Sequence, residues 1–282
     1  MMNRKNKYKV KVAWLLTFSL IATFALFNCA KDDTQTVTTF NELVLADEFN
    51  TNGAPNPDIW NYDIGTGNNG WGNNELQYYT DRPENVIAQN GYLIITAREE
   101  NFNGAAYTSA RLLTKGKFEQ TYGRYEARIK LPWGKGIWPA FWLLGDDSNG
   151  TEIWPQIGEI DIMEYVGDKP TEIFGTLHGP GYSAGESISK PYELENDRFD
   201  DGFHVFGIEW GLDYINFYVD DDLYNQITPE DVPGEWVFND RPFYIILNMA
   251  VGGSLPGSPN AETVFPQTML VDYVRVYKST KN

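Results

Sequence analysis

Beyond its first forty residues the chain alternates. Short runs with an apolar residue at every second position are separated by Gly, Pro, Asn and Asp, and the i, i+3, i+4 repeat of an amphipathic helix is almost absent. This pattern predicts strands at Tyr92 to Arg98, Lys117 to Gln120, Arg124 to Leu131, Ile173 to His178, Phe203 to Trp210, Tyr214 to Val219, Phe243 to Val251 and Leu270 to Tyr277. Tight turns such as Tyr122-Gly123 and Asp220-Asp221-Asp222 join several of them. Ile137 to Leu144 and Tyr244 to Ala250 are apolar nearly throughout, which predicts strands covered on both faces. Many short strands without long helices mean a sandwich or a barrel. With no internal repeat and no second zone of composition, residues 41–280 are expected to form one all-β domain.

The first 28 residues stand apart. Arg4, Lys5, Lys7, Lys9 and Lys11 precede an apolar stretch of sixteen, Val12 to Phe27. It is short for a spanning helix and has the order of a targeting segment. Cys29, the only cysteine, follows directly, and the arrangement resembles a bacterial lipoprotein signal in which Cys29 becomes the lipidated first residue. Asn28 departs from that pattern, where the preceding residue is usually small; an uncleaved anchor or an ordinary secretory peptide fits the same leader. Lys31-Asp32-Asp33 resembles the signal that sends Bacteroidetes lipoproteins to the outer face of the outer membrane. Residues 29–40, polar and rich in Thr, are then a tether. The expected location is the cell envelope, anchored through lipid on Cys29, in the outer membrane and facing the surface or the periplasm. With its cysteine spent on lipid, the mature domain must hold together by its core, and the 254 residues after the leader are enough for one.

Charge narrows the ligand. The formal balance is −17, and it becomes −22 once the five leader cations are removed. Nucleic acid is excluded, since phosphate recognition needs clustered Lys and Arg. Sulfated and uronic-acid polymers would be repelled. A neutral sugar polymer suits the chain better, because 15% of residues are Phe, Trp or Tyr, whose flat faces pack against sugar C–H groups. Nothing points to a stable oligomer, and a monomer is expected.

The segment Gly158-Glu159-Ile160-Asp161-Ile162-Met163-Glu164-Tyr165 carries the candidate chemistry. Glu159 and Asp161 are two apart and share one face of a strand, with Ile160 and Ile162 on the other. Glu164, five residues from Glu159, has the wrong parity and would face the core. A β-bulge at Ile162-Met163, setting two residues against one, returns it to the acidic face. Three carboxyls so close cannot all ionise freely, so at least one pKa is expected to rise and a proton to be shared. Two glutamates with separated proton affinities are what glycoside hydrolysis uses. The same residues would also suit a solvated acidic strand or an oxygen-rich metal site.

Trp138 and Trp142 are four apart and face one way, with the small Ala140 between them; the three make either a slot for a flat sugar or part of a core. Two histidines are too few for a zinc site, and no Gly-x-Ser-x-Gly elbow is present.

Taken with Asp47-Glu48-Phe49, Gly72-Asn73-Asn74-Glu75-Leu76-Gln77-Tyr78-Tyr79, Gly123-Arg124-Tyr125-Glu126-Ala127-Arg128, Trp138-Pro139-Ala140-Phe141-Trp142, His178-Gly179-Pro180-Gly181-Tyr182-Ser183 and Asp272-Tyr273-Val274-Arg275-Val276-Tyr277, the acidic strand resembles glycoside hydrolase family 16 over the whole domain. Within it the likeness is to the bulged-strand branch and the bacterial endo-β-1,3-glucanases called laminarinases. The resemblance implies a jelly-roll β-sandwich of two curved antiparallel sheets, with a sugar cleft across the concave one. It implies retaining endo-hydrolysis of β-1,3-glucan, with Glu159 as nucleophile, Glu164 as general acid then base, Asp161 as the neighbour tuning the nucleophile, and His178 contacting the sugar or the acids. Asn73, Arg111, Trp138, Trp142 and Trp154 match positions that grip sugars on the non-reducing side. Arg111 would equally suit a surface charge, and Asn73 a turn cap. Glu48, the Gly91 carbonyl and Asp272 match ligands of a structural calcium; no cofactor is implied for catalysis. His204 has no such counterpart and is expected to be structural. Within the same fold the alternatives are mixed-linkage β-1,3-1,4-glucan, agar or carrageenan as substrate. A non-catalytic glycan-binding lipoprotein is the alternative of another class.

Overall fold

A computed structural model describes residues 38–147, 150 and 152–280. The leader, Cys29 and the tether up to residue 37 lie outside them. Among the described residues no helix is long and apolar enough to cross a membrane. In chain order the strands are β1 (Phe40–Asp47), β2 (Asn61–Tyr62), β3 (Gln77–Tyr79), β4 (Val86–Gln89), β5 (Tyr92–Phe102), β6 (Ala105–Ser109), β7 (Arg111–Leu113), β8 (Glu119–Gln120) and β9 (Gly123–Lys130). They continue as β10 (Ile137–Gly145), β11 (Glu159–Tyr165), β12 (Glu172–His178), β13 (Ile188–Glu193), β14 (His204–Gly211), β15 (Tyr214–Val219), β16 (Asp222–Ile227), β17 (Phe243–Val251) and β18 (Gln267–Ser279). The first strand takes in Phe40, so the sheet begins one residue earlier than the tether boundary suggested.

These strands form a jelly-roll sandwich. One sheet runs β16-β15-β14-β9-β18-β5-β6-β3, with β1 on β18 and β4 on β5; the other runs β13-β12-β11-β10-β17-β7-β2, with β8 on β17. Pairing is antiparallel, as alternating short strands with tight turns dictate, except for β3 and β6, which run parallel. The alternation puts Ile215, Phe217 and Val219 from one sheet, and Ile137, Phe141, Leu143, Ile160 and Leu247 from the other, into a single core. Each such side chain contributes about 1.5–3 kcal/mol by leaving water.

The two continuous apolar runs are central neighbours, β10 and β17, paired from Ile137↔Val251 to Gly145↔Phe243. Every residue of β17 is buried. Its odd-numbered residues enter the main core, while Tyr244 and Ile246 on the opposite face form a second cluster with Leu113, Trp142 and Leu144. Covering on both sides is the reason the run has no polar alternation, and Asn248 is its one exception.

The predicted bulge is present. Between Asp161↔Thr176 and Glu164↔Phe174 the two residues Ile162-Met163 oppose Gly175 alone, and against β10 the register slips between Phe141 and Trp142. Both Ile162 and Met163 bury their side chains in the core. Gly175 has to be glycine: a β-carbon there would lie 2.7 Å from the Phe217 ring and closer still to the Tyr224 hydroxyl.

Candidate active site

Through paired α-carbons, three rows cross the outer face of the second sheet. One runs Phe174, Glu164, Ala140, Asn248, Arg111; the next Thr176, Asp161, Trp142, Ile246, Leu113; the third His178, Glu159, Leu144, Tyr244. Glu159, Asp161 and Glu164 therefore share one face, which is the consequence the bulge was expected to have. His178 comes from the neighbouring strand, its Nε2 3.2 Å from Asp161 Oδ2 and 3.6 Å from Glu159 Oε1. Thr176 donates its hydroxyl to Glu164 Oε2 at 3.3 Å.

Burial dominates the electrostatics. It raises the pKa of all three carboxyls, and the charge of Asp161 raises Glu159 and Glu164 further. Asp161 is 4% exposed and Oδ2 completes no hydrogen bond, so it is the acid most deprived of water. Glu159 keeps 18% of its side chain open, and the charges of His178 and Arg111 moderate its rise. Thr176 and the Trp138 indole N–H favour charge on Glu164, although the indole lies buried without an aligned acceptor. The result is a cluster that retains a proton where isolated carboxyls would have lost it.

Glu159, Asp161 and His178 each offer a ligand atom within 4.8 Å of the others, the geometry of a possible metal site. The backbone argues for protons instead. The Ala184 N–H donates to His178 Nδ1 at 3.1 Å. In the neutral ring Nδ1 is thus the acceptor and Nε2 carries the hydrogen, so a donor rather than a lone pair faces the carboxylates.

The aromatic wall stands beside the acids. Trp142 lies in the row of Asp161 and donates its indole N–H to Asn248 Oδ1 at 2.7 Å. The Arg111 guanidinium sits 4.9 Å from the Trp142 ring and 4.7 Å from the Trp71 ring, with Asp63 2.9 Å from its Nε. It is packed against two indoles and ion-paired, not a free surface charge. Trp138 is nearly buried, packed where Gly253 leaves room: a β-carbon on Gly253 would meet the ring at 3.1 Å. Trp154, 40% exposed, lies 5.9 Å from the His178 ring. Asn73 is exposed and donates to Glu75 Oε1 at 3.3 Å.

Trp71, Glu75, Tyr79, Thr176 and Asn248 were not singled out from sequence. A signal existed for three of them. Glu75, Gln77 and Tyr79 are spaced by two, as residues on one side of an extended chain are, and Asn248 is the lone polar residue in an apolar run. His204, as expected, is structural: buried, with Nδ1 2.6 Å from Asp220 Oδ2.

The calcium group is arranged differently. Oxygen donors are the right type, but Arg275 holds both oxygens of Glu48 at 2.7 and 2.9 Å, and Arg128 holds Asp272 at 2.6 Å. Gly91 is a left-handed turn residue between β4 and β5. With both carboxylates taken by guanidinium groups, these residues as folded do not fit a calcium ion.

The chain matches the model for glycosyl hydrolases family 16 over residues 73–275. It is 46% identical over 248 residues to a β-glucanase of Rhodothermus marinus, covering 84% of this chain and 85% of that protein. Among solved structures, the laminarinase catalytic domain of Thermotoga maritima MSB8 is 48% identical with TM-score 0.80, covering 85% of this chain and 99% of that one. The endo-β-1,3-glucanase of Pyrococcus furiosus is 47% identical with TM-score 0.80, covering 87% and 100%. A bulged acidic strand, its histidine and an indole-lined sheet, in a chain matched along this length, make the protein a member of glycosyl hydrolases family 16.

Proposed function

We propose that the protein hydrolyses β-1,3-glucan internally with retention of anomeric configuration. The observation that carries this is the bulge at Ile162-Met163, which turns Glu164 to the face of Glu159 and Asp161. Glu159 attacks the anomeric carbon and Glu164 protonates the departing oxygen, giving a glycosyl-enzyme. Glu164 then takes a proton from a water whose oxygen bonds to the anomeric carbon, and Glu159 leaves as the carboxylate. Asp161 and His178 hold the nucleophile, and Trp138, Trp142, Trp154, Arg111 and Asn73 bind the sugars. Two carboxyls supply both nucleophile and proton, so the reaction asks for no cofactor. The names of the relatives support the linkage and the internal cut. Proton NMR of early products from laminarin should show β-anomers first and a ladder of oligosaccharides; α-anomers, or faster release from agar, carrageenan or mixed-linkage glucan, would overturn the assignment.

The raised proton affinities give a second test. Catalysis needs the retained proton, so kcat/KM should fall on the alkaline side with an apparent pKa belonging to the cluster. Asp161→Asn removes a charge that raises Glu164, so it should move that limb to lower pH. The same substitution should stabilise the fold in alkali. A carboxyl whose folded pKa lies above its unfolded value contributes fully below about pH 4 and loses that contribution as pH rises through the folded value. Urea denaturation at pH 8 should then favour Asp161→Asn by about 1–3 kcal/mol. An unmoved alkaline limb would show that Asp161 does not tune the acid.

The leader and Cys29 support a lipid-anchored envelope protein that meets its polymer outside the cytoplasm. Acyl labelling that persists in Cys29→Ser would rule that out.

A further inference from the structure

The outer face holds a hydrogen-bonded chain that the reaction steps above do not use. Trp142 donates to Asn248 Oδ1 at 2.7 Å, Asn248 Nδ2 donates to the Tyr79 hydroxyl at 3.2 Å, and that hydroxyl donates to Glu75 Oε2 at 3.0 Å. A second arm starts at the Val251 backbone N–H, which donates to Gln77 Oε1 at 2.7 Å; Gln77 Nε2 then donates to Glu75 Oε2 at 2.7 Å. Asn73 Nδ2 reaches the other oxygen, Oε1, at 3.3 Å.

Both arms begin at groups that can only donate, an indole N–H and a backbone N–H. The amides have no choice of orientation as a result. Asn248 must turn its oxygen to Trp142 and its nitrogen to Tyr79, and Gln77 its oxygen to Val251. The single hydroxyl proton of Tyr79 is left for Glu75. Burial, and then the charge of Glu75, raise the pKa of this hydroxyl, so it keeps the proton it donates. Every donor therefore points the same way: both arms end on Oε2 and Asn73 on Oε1, so with these three donors as placed both oxygens of the terminal group must accept. A carboxylate meets that condition; a carboxamide does not.

We propose that Glu75 is a positioning residue that, as the common acceptor of these arms, fixes the tilt of Trp142 and the direction of the Asn73 amide for sugar binding. The proposal rests on reading this face as the glucan site. With Tyr79→Phe the ring shape stays and the link is cut: Asn248 Nδ2 loses its acceptor, so the amide that holds the Trp142 indole is no longer anchored to Glu75. With Glu75→Gln one carboxylate oxygen becomes a donor and opposes Asn73 or Tyr79.

The test is calorimetric binding of laminari-oligosaccharides to Glu159→Ala alone and combined with Tyr79→Phe or Glu75→Gln, with steady-state kinetics of the two substitutions in the active enzyme. Each should weaken binding and raise KM about fivefold to tenfold, with kcat within about twofold of wild type. A merely structural role would lower Tm and leave the affinity of the folded protein unchanged, which overturns the assignment. Glu159→Ala failing to bind on its own would overturn the glucan reading and this assignment with it.

Discussion

Alanine at Glu159 or Glu164 should lower kcat on laminarin by about 10³–10⁵-fold while leaving the polymer bound. The two losses should differ in kind. Without Glu164 the natural leaving group lacks its proton donor, but an aryl glucoside with an acidic phenol needs none; its first step stays fast and the glycosyl-enzyme accumulates. Added azide should then capture the sugar from the face opposite Glu159 and give the β-azide. Without Glu159 no glycosyl-enzyme forms, and azide entering the vacated space attacks from the other face, giving the α-azide. Both carboxyls stand on a face backed by the buried side chains of Ile160, Ile162 and Met163, so truncation empties space on that face and leaves the core packed. Unchanged hydrolysis in either variant, or the same azide anomer from both, would refute the roles assigned.

Deleting Met163 should abolish activity with the sandwich retained. The bulge sets Ile162 and Met163 against Gly175, and removing one residue restores simple alternation. Glu164 would then point where the core lies, or β11 would have to re-register and carry Glu159 off its row with His178. The deletion also removes a side chain with no exposed surface, so stability should fall by about 2–5 kcal/mol. Met163→Leu separates the two effects: it keeps the residue count and most of the volume, should cost less than about 1.5 kcal/mol, and should leave kcat close to wild type. Wild-type turnover in the deletion, or loss of turnover in Met163→Leu, would show that parity does not place the acid.

Much of this site is legible one residue at a time because a strand has a period of two. Glu159 and Asp161 share a face by counting, Glu164 is recovered by one added residue, and Trp138, Ala140 and Trp142 align without reference to any neighbour. Arg111 was ambiguous for the opposite reason. A lone Arg at the start of a three-residue strand carries no periodic signal, and only pairing with Asn248 puts its guanidinium between two indoles. The carboxylates of Glu48 and Asp272 suit calcium by chemical type, yet β18 brings Arg275 to the first and β9 brings Arg128 to the second.

By itself the sequence determined the strand-rich fold, the bulge and the identity of the three acids, since alternation, parity and residue type are local properties of one segment. The tertiary structure alone decided which strands lie side by side. Cross-strand distance depends on sheet order and register, not on separation along the chain. That order brings His178 to Asp161, encloses Arg111 between Trp71 and Trp142, and joins Glu75 to Trp142 through Tyr79 and Asn248, residues 169 apart.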